Sequence, residues 1–148
     1  MNTLIALEKQ LKEYAGEHPL SVKGIIITAD HKVLLLHRPD QIRWDLPGGG
    51  VDDGETLVEA YTREIQEETG MTIDNAEPVY TYLRIVPDKK IKLIQYVLTR
   101  HTADSSTIKV TLSKEHDSYQ FFDLEDENFP ILITSYQEAF KRAKETFL

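Results

Sequence analysis

The stretch from Gly48 to Gly70, GGGVDDGETLVEAYTREIQEETG, constrains this chain more than any other part of it. Three glycines and a run of acids precede a segment with helical periodicity. Thr56 followed three residues on by Glu59 is a capping-box pattern, in which two side chains satisfy free backbone N–H groups at a helix start. Gly70 supplies the stop. A helix turns about 100° per residue, so relative to Glu64, Glu68 projects at about +40° and Glu67 at about −60°. By the same arithmetic Leu57, Tyr61 and Ile65 fall at about +20°, +60° and +100° and form an apolar stripe. Glu64 and Glu68 therefore overlap the edge of the face that must meet the core. Arg63 lies about 40° from Glu67, one turn earlier, placed to pair with it.

A charge run is ordinarily a solvated helix face, but this one is awkwardly sited. Like charges four residues apart cost about 0.2–0.5 kcal/mol even when exposed. At a core edge the cost is greater, unless the groups are protonated or bind a cation. Several carboxylate oxygens on one side suit a hard cation such as Mg²⁺ or Mn²⁺. Pro47 stiffens the approach, and Gly48–Gly50 allow a carbonyl to turn inward as a further oxygen ligand. The plainer reading of the three glycines is a flexible loop. No Gly-Lys-Ser/Thr follows, so this is not a P-loop, and VDDGE lacks the alternating acids of an EF-hand. A metal cluster on a rigid helix can bind a pyrophosphate and stabilise charge in the transition state, leaving a free carboxylate as general base.

Around this segment the sequence predicts helix, strands, helix, strands, helix. Leu4, Leu7, Leu11 and Tyr14 space an amphipathic helix over about 3–16, ended by Gly16 and Pro19. Residues 22–29 and 32–38 read as a strand pair about the polar turn at 30–31. Residues 78–86 and 90–99 read as a hairpin about Pro87-Asp88-Lys89, and 107–112 and 119–124 as shorter strands. Pro130 opens a last helix over about 131–146, with Leu132, Tyr136, Phe140 and Ala143 on one face. The strands lie too close together for repeated βαβ crossovers. The fold class is therefore α/β of the α+β type, a mixed sheet with helices packed on it.

With 148 residues the chain is sized for one domain, 1–148. Its net charge of −8 disfavours nucleic acid and anionic membranes as partners, yet permits a small phosphorylated ligand beside a cation or a local Arg/Lys cluster. The absence of cysteine excludes disulfides, thiolate zinc sites and a Cys nucleophile. No stretch approaches the ~18 apolar residues of a membrane span, and the start has no signal-peptide core, so a cytoplasmic protein is expected.

Gly49, Glu55 and Arg63-Glu64-Ile65-Gln66-Glu67-Glu68-Thr69-Gly70-Met71 together resemble the complete Nudix box, with every fixed position present. The flanks KVLLLHR and WDLPGGG resemble the family too, and its fold is a mixed sheet sandwiched between helices. The resemblance implies hydrolysis of a nucleoside diphosphate linked to another moiety, using Mg²⁺ or Mn²⁺. It implies that Glu64, Glu67 and Glu68 bind metal, that Glu64 is a candidate base and that Arg63 orients the glutamates. It further implies that Gly49 lends its carbonyl to a metal and that Glu55 braces the helix start. Members often add a glutamate beyond the box as ligand or base, and Glu115, in a loop before a strand, fits that place. A homodimer through the N-terminal helix or the later strands would match many relatives.

Substrate choice lies outside the box. Trp44, Tyr80, Tyr82 and Tyr96 are candidates to stack on a base, and Arg38, Arg43 and Arg84 to hold a distal phosphate, each against a plainer reading as core or surface. Pro87 lies where the family's ADP-ribose enzymes carry a proline, which leans the expectation toward ADP-ribose or nucleotide sugars, although proline is common in such turns. The alternatives are a (d)NTP or oxidised-nucleotide pyrophosphatase, RNA 5′-end hydrolysis, which the acidic charge does not favour, and a non-catalytic binding module, which ordinarily has a broken box. The isomerase branch of the family uses a cysteine, which this chain lacks.

Overall fold

A computed structural model describes residues 2–15, 19–86, 90–126, 129–130 and 134–148. The elements run α1 (Asn2–Ala15), β1 (Leu20–Ile27), β2 (Lys32–His37), β3 (Trp44–Asp45), β4 (Gly48–Gly50), α2 (Leu57–Thr69), β5 (Glu77–Val86), β6 (Lys90–Arg100), β7 (Ser118–Asp123) and α3 (Thr134–Phe147). The sheet orders its strands β3-β2-β1-β6-β5, with β4 also on β1 and β7 on β2. β1 and β6 are parallel and the other pairs antiparallel, so the mixed sheet expected from the sequence is present.

Strand alternation sends successive side chains to opposite faces, and each face carries its own core. Val22, Ile26, Leu93 and Val97 meet Leu4 and Leu11 of α1 and Leu57, Tyr61 and Ile65 of α2. Ile25, Ile27, Ile94, Tyr96 and Leu98 meet Tyr136, Ala139 and Ala143 of α3. The sheet is thus sandwiched between α1 with α2 and α3. Lys23, in step with Ile25 and Ile27, belongs to the α3 side.

One expectation is corrected. Residues 107–112 are not a strand: Ser105–Thr107 form a 3₁₀ turn and the following residues pair with none. Ile108, Val110 and Leu112 do alternate into the α1/α2-side core, which produces the period of two. Their backbone meets the end of α2 instead, where Thr111 N–H donates to the Thr69 carbonyl at 2.8 Å. Gly48–Gly50 form strand β4, in register with Ser21–Lys23, which sets aside the plainer reading of a flexible loop. Gly16, Pro87 with its turn, and Leu132 lie outside the described residues, as do the side chain of Tyr14 and the predicted start of the last helix at 131–133.

Candidate active site

Helix α2 begins as its sequence dictates. Thr56 accepts from Glu59 N–H and Glu59 reaches back to Thr56 N–H, completing the capping box. Glu8 of α1 also accepts from Leu57 N–H, adding a negative charge at the helix start. The helix ends at Gly70, whose φ of 71° is the left-handed conformation glycine adopts most readily.

The projected stripe is buried. Leu57, Tyr61 and Ile65 have no exposure, and Glu68 retains 4%. The Glu64 side chain is 15% exposed and that of Glu67 58%, a gradient from core to solvent across the three acids. Arg63 organises their outer side. It binds Glu55 bidentately at 2.7 and 2.9 Å and also reaches the Gly50 carbonyl and Glu64 at 3.0 Å and Glu67 at 3.3 Å. The Arg63–Glu67 pair expected from the projection is present, but Glu55 is the stronger partner. Arg63 hydrogen bonding holds the Glu55 carboxyl down at about 2.

Gly49 lies directly against Glu64. A Cβ at Gly49 would come within 2.7 Å of the Glu64 carboxyl carbon and Oε1, so only glycine permits this approach. Glu68 lies deeper, and its Oε2 is buried with no hydrogen-bond partner. Burial pushes its pKa up to about 8, and the nearby Glu64 and Asp45 charges add to this while Lys23 opposes it. Among the described residues no group of three or more acidic or histidine side chains is already arranged to hold a metal ion. The donors nevertheless fit a hard divalent cation: an unpartnered buried carboxylate oxygen, a second carboxylate beside it, and a glycine backbone against that second carboxylate.

A second polar group, with no evident signal in the sequence, adjoins Glu68. His116 is fully buried, with Nδ1 3.9 Å from Glu68 Oε2 and Nε2 3.4 Å from Asp45 Oδ2. Asp45 also accepts from the Tyr136 hydroxyl and pairs with Lys23 at 3.5 Å and Arg38 at 3.3 Å. Burial alone would raise the Asp45 pKa. The His116 hydrogen bond, the Lys23 charge and the Tyr136 and Arg38 hydrogen bonds outweigh it and hold the carboxyl well below the usual carboxylate range. These contacts run from α2 on one face, through β3, to α3 on the other.

The remaining predicted residues divide. Arg38 and Arg84 line a cleft of about 890 Å³ beside Lys23 and Asp45, as do Arg43 and Tyr82. Trp44 is not in its lining; it packs edge-on against His37 and Phe122. Tyr96 is buried in the α3-side core, and Tyr80 lies under the Arg142 guanidinium. Glu115 is 64% exposed and 4.0 Å from Arg38, while its neighbour His116 turns inward to Glu68.

The NUDIX domain matches residues 17–143. The chain belongs to the Nudix hydrolase family. It is 31% identical over 111 residues to YvcI, an uncharacterized Nudix hydrolase of Bacillus subtilis, across 74% of this chain and 70% of that one. It is 44% identical over 71 residues to an ADP-ribose pyrophosphatase of Methanocaldococcus jannaschii, but this spans only 42% of that enzyme and 45% of this chain. An 8-oxo-dGTP diphosphatase of Proteus vulgaris matches at 31% over 80 residues, 51% of this chain and 71% of that one. Among solved structures, the MutT protein of Methanosarcina mazei superposes with a TM-score of 0.67 at 28% identity, over 88% of this chain and 97% of that one. The NUDIX domain of Shewanella oneidensis NrtR, complexed with ADP ribose, superposes with a TM-score of 0.73 over 92% of each chain; at 18% identity this is a likeness of fold. No described helix of this Nudix chain is long and apolar enough to cross a membrane.

Proposed function

We propose that this chain is a Mg²⁺- or Mn²⁺-dependent pyrophosphohydrolase that cleaves a nucleoside diphosphate linked to another moiety. The observation that carries this reading is the buried, unpartnered Glu68 Oε2 beside Glu64, which itself lies against Gly49. Two acids held there without a cation are costly, and the box around them is intact. Glu64, Glu67, Glu68 and the Gly49 carbonyl would hold the cation, which when bound supplies charge neutralisation at the diphosphate oxygens. Arg63 fixes the orientation of Glu64 and Glu67 from outside. Glu64, less buried than Glu68, takes the proton of the attacking water. The water oxygen forms a new P–O bond, the bridging P–O bond breaks, and the electron pair leaves with the departing phosphate. Glu115 stands as the alternative base and has Arg38 as its partner. Arg38 and Arg84 line the cleft where the substrate's phosphates would lie.

ADP-ribose and nucleotide sugars head the substrate list, from the place of Pro87 and the relative named ADP-ribose pyrophosphatase. Nucleoside triphosphates, oxidised ones included, follow from the relative named 8-oxo-dGTP diphosphatase. The test is a substrate panel run with chelator-stripped protein, then with Mg²⁺ or Mn²⁺ restored. Activity should appear only with metal, and Glu64→Gln and Glu68→Gln should each lower turnover by about 100-fold or more. Full activity without metal, or in both variants, would overturn the mechanism. Metal-dependent binding of ADP-ribose without hydrolysis would instead make the chain a ligand-binding module.

A further inference from the structure

The cleft on the α3 side carries an imbalance of charge that the two carboxylates do not explain. Five basic residues line it, Lys23, Arg38, Arg43, Arg84 and Lys92, against two acids, Asp40 and Asp45. This occurs in a chain whose net charge is −8. Asp45 is already shared by Lys23, Arg38, His116 and Tyr136. Arg84 and Lys92 are directly opposite each other in the antiparallel β5–β6 ladder, so their side chains leave the same face side by side. Like charges in that position oppose strand pairing. Among the described residues neither has an acidic partner. Burial lowers the Lys92 pKa, and the Lys23 and Arg84 charges lower it further. Nothing in folding alone calls for this arrangement, whereas an anion between the strands would convert the repulsion into binding.

We infer that Arg84 and Lys92, beside the Lys23 ammonium, form a second anion subsite that holds a phosphate of the substrate beyond the two joined by the scissile bond. The inference rests on the proposed pyrophosphohydrolase reading and narrows it. Lys23 connects the two regions, since its Nζ donates to the Gly48 carbonyl at 3.3 Å, immediately before the Gly49 that abuts Glu64. The subsite moves nucleoside triphosphates and longer polyphosphates ahead of ADP-ribose and nucleotide sugars in the substrate order. A diphosphate ending in a neutral sugar, as in ADP-ribose, leaves the subsite empty.

The test compares Lys92→Met, which keeps the aliphatic length, and Lys92→Arg, which keeps the charge. In wild type kcat/KM should favour a nucleoside triphosphate over ADP-ribose. Lys92→Met should lower that ratio about tenfold, and Lys92→Arg should restore most of it. With ligand absent, Lys92→Met should melt at a higher temperature than wild type, because it relieves the repulsion. A lysine with only a structural role would give a lower one. Inorganic pyrophosphate titrated into the full chain in excess chelator should bind wild type about tenfold more tightly than Lys92→Met. An unchanged substrate ratio, or equal losses on both substrates, would overturn the inference. So would equal pyrophosphate binding by the two proteins. A chain that hydrolyses no diphosphate yet binds pyrophosphate through Lys92 would sink the hydrolase reading and keep the subsite.

Discussion

Glu68 and Gly49 set the terms at the scale of single residues. The Glu68 carboxyl titrates at about 8 in the folded chain against an ordinary value of 4.5. Between those values the native state holds a proton that the unfolded state has lost, so metal-free stability must fall as pH rises from about 4.5 to about 8. Urea denaturation in chelator across that range should show the decline in wild type and a smaller one in Glu68→Gln; parallel curves would contradict it. At the proposed site a bound cation would displace the same proton, so apparent Mn²⁺ affinity should rise over the same interval. Gly49→Ala tests the other contact. Its new Cβ would fall within 2.7 Å of the Glu64 carboxyl group, which must move aside. A displacement of that order should cost about 100-fold in kcat/KM while the melting temperature changes little. The spacing of Glu64 and Glu68 made their crowding legible in the sequence. His116 and Asp45 were not legible, because each lies far along the chain from Glu68 and becomes its neighbour only through the fold.

At the scale of elements, α2 was the most readable part of the chain because its signals are local. A capping box, a stripe of period 3.6 and a terminal glycine all reside within one segment, and each is observed. Thr56→Ala should therefore cost about 1 kcal/mol by denaturant titration. A loss confined to a few tenths would mean that Glu8, which also accepts at the helix start, replaces the cap. The strand reading of 107–112 failed for the converse reason, and the strand at Gly48–Gly50 was not legible for the same one. Alternating burial does not reveal whether a backbone partner exists, and Ile108, Val110 and Leu112 alternate without one. Glycine permits both loop and strand, and the pairing that makes Gly48–Gly50 a strand comes from Ser21–Lys23, far away in sequence.

Across the whole molecule, Glu68 of α2 adjoins the inner end of the cationic cleft under α3, and Asp45 joins the two. It receives Lys23, Arg38, His116 and Tyr136 on one buried carboxylate. Asp45→Asn would leave buried cationic and polar groups without their shared anion, and should destabilise the chain by about 3 kcal/mol or more in urea denaturation. A change below 1 kcal/mol would show that water substitutes for it. The layered arrangement was foreseen from the order of elements, whereas this connection across the sheet depends on side chains that only the folded chain brings together. In the proposed mechanism, Glu64 and Glu68 form a divalent-cation site on which hydrolysis depends. Its most direct test is to titrate Mn²⁺ into chelator-stripped wild type and Glu68→Gln, following free Mn²⁺ by electron paramagnetic resonance and diphosphate hydrolysis in the same samples. Wild type should gain bound Mn²⁺ and activity together, and Glu68→Gln should lose both. Equal Mn²⁺ binding by the two proteins, or hydrolysis before any Mn²⁺ is bound, would contradict a metal site at Glu64 and Glu68.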